Sequence, residues 1–128
     1  MRALLDTHTF LWFLTDDPRL SEHALAILQD PASDVVLSTA SLWEIAIKST
    51  LKKLNLSKPF AELFPQELID NEIGLLPILV RHLAVLTTLP FHHRDPFDRL
   101  IIAQAMAEGL PVLGSDSAFA SYPVRVIW

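Results

Sequence analysis

Residues Ala3-Leu4-Leu5-Asp6-Thr7 carry three apolar side chains straight into a carboxylate, and Asp34-Val35-Val36-Leu37-Ser38 places a second apolar run just before a hydroxyl. Runs this short, aliphatic and bounded by polar residues read as strands buried on both faces. Residues 21–29 between them have helical spacing. The alternation then continues along the chain. Leu42, Ile45, Ala46 and Leu51 recur at helical intervals, 52–59 reads as a connection, and the Pro-punctuated stretch 59–73 holds one or two short helices. A third strand is expected at 74–78, a helix at 81–89, and a longer helix over 96–108 that stops at Gly109. Residues 111–114 and 124–127 give the fourth and fifth strands, with a turn or short helix at 117–122 between them. About five short strands separated by helices predict a single α/β domain over residues 1–128, a central parallel sheet covered on both faces.

Composition narrows the class. A chain of 128 residues that is 51% hydrophobic can bury a core and is not disordered. It has no cysteine, so disulfides and thiolate metal sites are excluded and a cytoplasmic setting is expected. The N-terminus meets Asp6 too early for a signal peptide, and Pro77, Arg81 and His82 interrupt the longest apolar stretch, 73–91, so no membrane span is expected. A formal charge of −5 argues against gripping nucleic acid through overall positive potential, which makes local basic residues such as Lys48, Arg94 and Arg99 the relevant ones.

In an open parallel sheet, polar ligands bind beyond the carboxyl ends of the strands. Asp6 ends the first strand, Asp116 follows the fourth, and Glu44 lies in the helix after the second. Each acid also has an ordinary explanation. Asp6 can cap the helix that carries Phe10, Leu11 and Phe13; Ser41-Leu42-Trp43-Glu44 matches a capping box, with Lys48 four residues on for an ion pair; Gly114-Ser115-Asp116 can be a turn. In His93-Arg94-Asp95-Pro96-Phe97-Asp98-Arg99, Asp95 reads as the helix cap and Pro96 as the first helical residue, which leaves Asp98 to project from that helix end. Together, four carboxylates in one cleft repel one another unless a cation joins them. Oxygen donors of this kind suit Mg²⁺ or Mn²⁺ better than zinc. His92 and His93 are adjacent and read as loop-surface residues; Trp12, Trp43 and Trp128, with Phe10, Phe13 and Phe97, read as core or subunit contacts rather than stacking platforms.

Leu4-Leu5-Asp6-Thr7-His8, Ser41-Leu42-Trp43-Glu44-Ile45, the 93–99 segment continued by Ile102-Ala103-Gln104-Ala105, and Ser115-Asp116 with Phe119 and Tyr122 resemble the motifs of PIN-domain proteins, specifically VapC-type toxins. The resemblance covers nearly the whole chain. It implies a three-layer α/β/α domain and a Mg²⁺-dependent endoribonuclease with Asp6, Glu44, Asp98 and Asp116 as catalytic metal ligands and Asp95 as a cap near the site. It further implies hydrolysis of RNA by metal-activated water, a homodimer, and inhibition by a cognate antitoxin whose tail occupies the groove. Lys48, Arg94 and Arg99 become possible RNA contacts. Gly114 stands where the family commonly has Thr, which removes a hydroxyl near the metal unless Ser115 or Ser117 replaces it.

Two other classes share the broad pattern. A receiver-type phosphoacceptor domain has similar length and an acidic Mg²⁺ pocket, but this chain lacks an acidic pair after its first strand and an acid in Pro77-Ile78-Leu79. A catalytically silent PIN-like module that only binds a partner would keep the fold without using the acids.

Overall fold

The first strand lies at the centre of the sheet, and the chain builds outward from it in both directions. In the computed structural model, which describes residues 1–128, β1 (Arg2–Leu5), β2 (Asp34–Ser38), β3 (Gly74–Leu76), β4 (Val112–Leu113) and β5 (Val126–Ile127) form one sheet in the order β3-β2-β1-β4-β5. Every pairing is parallel. Leu5 is in register with Leu37 of β2 on one side and Leu113 of β4 on the other. The chain therefore reverses its direction of growth at β1, and the crevice beyond the carboxyl ends of β1 and β4 is the place where such sheets bind ligands. Receiver-type domains follow the doubly wound order 2-1-3-4-5. The order seen here is different, so the phosphoacceptor alternative is withdrawn.

Helices cover both faces: α1 (Thr7–Leu14), α2 (Glu22–Gln29), α3 (Thr39–Thr50), α4 (Phe60–Leu63), α5 (Gln66–Asp70), α6 (Val80–Leu86) and α7 (Pro96–Glu108). Strand alternation divides the interior into two cores. Ala3, Leu5, Val35, Leu37, Leu113 and Ile127 face one layer with Phe10, Ile27 and Leu68. Leu4, Val36 and Val112 face the other with Ile101, Ile102 and Phe119. This is the three-layer α/β/α architecture expected from the apolar runs. The helix α7 is buried continuously from Asp98 to Ala105, because it packs under the sheet and against α6 and α3 at once.

Most element ends fall within a few residues of expectation, and the differences have local causes. Strand β3 stops at Leu76 because Pro77 has no N–H to donate. Helix α6 stops at Leu86, where the Thr87 and Thr88 hydroxyls bond the carbonyls of Ala84 and Val85. The capping box at Ser41 is overturned. Helix α3 begins at Thr39, three residues after Val36, and its cap is Ser38, whose side chain accepts from the Ala40 N–H at 3.0 Å. No helix is long and apolar enough to cross a membrane.

Candidate metal centre

Asp6 follows β1 directly and occupies the cap position of α1, yet its side chain accepts no bond from that helix. The carboxylate is left for another purpose. Across the crevice, β4 is followed by Gly114, and a Cβ built on Gly114 would stand 2.9 Å from Asp6 Cβ. Real Cβ atoms do not approach so closely, so glycine is what allows the two strand ends to meet. Gly114, which stands where the resemblance leads one to expect threonine, is thus the residue that leaves room for Asp6 in this chain. Asp116 lies two residues on and caps a 3-10 helix (Ser117–Ser121), accepting from the Ala118 N–H at 2.9 Å.

Glu44 reaches the same region from the middle of α3. It is 3% exposed and bonds Lys48 Nζ through Oε2 at 2.5 Å, the ion pair expected from their spacing. A buried hydrogen bond of 2.8 Å between the Thr7 and Ser41 hydroxyls ties α1 to α3 beside it. Asp98 comes from the first turn of α7. Asp95 caps that helix by accepting from the Phe97 and Asp98 N–H groups at 2.9 and 3.1 Å, with Pro96 at the first helical position.

The electrostatics show that the four acids share one field. Asp6 is 2% exposed, and its carboxyl is pushed up to about 7, first by burial and then by the charges of Asp98, Asp116 and Glu44. Asp98 is also raised, chiefly by burial, against the lowering effect of a hydrogen bond from His93. Asp6 Oδ1 and Glu44 Oε1 are buried without a hydrogen-bond partner. Buried carboxylate oxygens in native proteins are almost always satisfied. Orphaned oxygens amid mutually repelling carboxylates are what a divalent cation would satisfy, so the residues present fit such an ion.

Two features of the site are not visible in the residue order. His93, expected at the loop surface, is half-buried with Nε2 2.7 Å from Asp98 Oδ2. One ligand atom each from His93, Asp98 and Asp116 lie within 4.8 Å of one another. The capped turn at Asp95-Pro96 folds the preceding loop back over the helix end, which is the one sequence signal that could have placed it there. The second concerns Arg99, which is corrected as an RNA contact: it is buried, donating to the carbonyls of Pro90 at 2.8 Å and Leu89 at 3.2 Å. Tyr122 completes this knot, its hydroxyl donating to the Pro90 carbonyl and accepting from the His93 N–H at 3.0 Å. Arg99 and Tyr122 therefore hold the loop that carries His93.

Of the other cations, Arg94 is exposed on the same loop, and Lys48 is half-buried against Glu44. Of the aromatic residues read as core or subunit contacts, one lies outside the core. Trp43 is 57% exposed, packed edge-on against Phe97 with ring centroids 5.1 Å apart, because α3 turns this residue away from the core that holds Ile45. The largest cavity, about 540 Å³, lies elsewhere, between α1 and the 54–57 segment, and none of the four acids lines it.

The PIN-domain family model matches residues 3–124. Ribonuclease VapC16 of Mycobacterium tuberculosis is 39% identical over 69 residues, 51% of this chain and 48% of that protein, so the match spans about half the length of the curated relative. Among solved structures, VapBC2 from Rickettsia felis, bound to a DNA fragment from their promoter, is similar with a TM-score of 0.74 and 15% identity, over 99% of this chain and 98% of that one. FitAcB from Neisseria gonorrhoeae is similar with a TM-score of 0.66 and 23% identity, over 100% and 97% of the two chains. At these identities the structural likeness is one of fold.

Proposed function

This chain belongs to the PIN-domain family, and on that premise we propose that it is a divalent-metal-dependent endoribonuclease, the toxin of a toxin–antitoxin pair. The observation that carries the reading is the gathering of Asp6, Glu44, Asp98 and Asp116 around buried, unpartnered carboxylate oxygens at the carboxyl edge of the sheet. The partial likeness to a named ribonuclease supports the reaction, and the fold shared with VapBC2 supports an antitoxin partner.

Asp6, Asp98 and Asp116 would hold the ion, with Glu44 completing the set; Mg²⁺ is the ion of choice, and Mn²⁺ a substitute. When bound, such an ion polarises a phosphoryl oxygen and lowers the pKa of water, the chemistry that phosphodiester hydrolysis needs. The chain's own part is placement. Asp95 fixes the first turn of α7 and so aims Asp98; Gly114 lets Asp6 approach the end of β4; Lys48 partly neutralises Glu44. Arg94, exposed on the loop that carries His93, and Lys48 would meet flanking phosphates, which would allow an acidic protein to hold RNA locally. Exposed Leu75, Ile78, Val80 and Leu83 on the edge strand β3 and around α6 offer the apolar surface a homodimer would cover.

The test is incubation of the protein with total RNA in Mg²⁺ and in chelator, beside Asp6→Asn. Discrete fragments that need Mg²⁺ and vanish in the variant are expected. Equal cleavage in chelator would overturn the metal mechanism, and no cleavage under any divalent ion would favour the silent partner-binding module.

A further inference from the structure

We propose that His93 is itself a ligand at this centre, its imidazole joining Asp98 and Asp116 around one ion, so that the site holds nitrogen-seeking divalent ions such as Co²⁺ more tightly than the carboxylates alone would. The inference rests on the metal-site reading above and adds to it a residue that composition and spacing had left on the loop surface. Three observations carry it.

The first is geometry. His93 Nε2 stands 2.7 Å from Asp98 Oδ2. Ligands about 2.1 Å from one ion and at right angles to each other are about 3 Å apart, so once a cation displaces the proton of this hydrogen bond the two atoms would need to separate only slightly to serve as neighbouring donors. One Asp116 oxygen falls inside the same 4.8 Å group, and the carboxylate is held in place by the Ala118 N–H, which donates to Oδ1 at 2.9 Å.

The second is rigidity. Most loop histidines are free to swing, but the His93 main chain is fixed by its N–H bond to the Tyr122 hydroxyl, which also receives a bond from Arg99 at 3.3 Å and donates to Pro90. The half-buried ring is delivered to the carboxylates by a buried arginine and a buried tyrosine. Such support is what keeps a metal-binding imidazole in place.

The third is the unmet demand for a cation. Asp6 Oδ1 and Glu44 Oε1 are buried without partners, and Asp6 lies within the charge field of Asp98, Asp116 and Glu44. An acidic group alone would suit Mg²⁺; adding imidazole nitrogen moves preference along the Irving–Williams series. His8 is the natural control. It is exposed, and its Nδ1 is 4.0 Å from Asp6 Oδ2, near the acids but outside the His93 group.

Calorimetric titration of Co²⁺ and of Mg²⁺ into the full chain, His93→Gln and His8→Gln tests this without reference to activity. His93→Gln should weaken Co²⁺ at least tenfold and Mg²⁺ less than about threefold, and His8→Gln should change neither beyond twofold. Equal loss of both ions in His93→Gln, or loss of neither, would overturn the proposal, because His93 would then only orient Asp98 or play no part. Should His93→Gln not fold, electron spin echo modulation from Mn²⁺ bound to the unaltered chain and to His8→Gln decides. Coordinated ¹⁴N in both supports the ligand; its absence from the unaltered chain, or its loss in His8→Gln, overturns it. Failure of the unaltered chain to bind any of the three ions would instead remove the metal-site reading beneath it.

Discussion

Asp6 owes its behaviour to its surroundings. Buried between β1 and β4, with the charges of Asp98, Asp116 and Glu44 nearby, it holds its proton up to about 7 in the folded state, whereas in the unfolded chain it releases it near 3.8. Below the unfolded value both states are protonated and the acid costs nothing. Between about 4 and about 7 the folded state binds more protons, so stability falls as pH rises, and above the folded value the whole penalty remains. Metal-free protein should therefore lose thermal stability across that window, by on the order of 4 kcal/mol from this group. Melting curves in chelator at stepped pH measure it. Asp6→Asn should flatten the slope, and added Mg²⁺ should reverse part of it; a slope unchanged by the substitution would show that another group is responsible. Gly114→Ala places a methyl 2.9 Å from Asp6 Cβ and should cost about 1–3 kcal/mol, read by chemical denaturation, with weaker metal binding alongside. At this scale the sequence was uneven. The strand-end position of Asp6 follows from the apolar run before it, but Arg99 and His93 sit in one polar-looking motif and turn inward. Their partners, Tyr122 and the carbonyls of Leu89 and Pro90, are tertiary neighbours that no local pattern announces.

The elements matter for the site mainly through their ends. Helix α7 starts where Asp95 caps it, and that cap orients both Asp98 and the turn back to His93. Asp95→Ala removes an acceptor shared by two N–H groups and should lower stability by about 1 kcal/mol. It should also weaken divalent-ion affinity while leaving the fold intact; urea titration and calorimetry together separate the two effects, and unchanged affinity would mean that the helix end is positioned by packing alone. Asp95 and Pro96 were readable because the rules of helix starts are local. Ser41 was not, because two caps compete: the hydroxyl of Ser38 lies where β2 ends and the chain must turn, and strand pairing with β1 and β3 decides where that is. The short strands β4 and β5 were legible as apolar runs, and β4 starts only after Pro111, which has no N–H to donate.

At the scale of the whole molecule, function follows from one topological fact. Because β1 is flanked by β2 and β4, the chain leaves the sheet in opposite directions on either side of Asp6, which opens a crevice into which Asp116, Asp98 and Glu44 can reach from separate elements. The alternation of strands and helices made the layered fold readable, whereas strand order was not, since the pattern of apolar runs is the same for a receiver-type sheet. We propose that this crevice holds one divalent-ion centre. The most direct measurement is anomalous scattering from a crystal of the protein soaked in Mn²⁺. A peak bounded by the carboxylates of Asp6, Asp98 and Asp116 is expected, and a crevice with no peak at saturating Mn²⁺, or ions bound only elsewhere, would contradict a metal centre there.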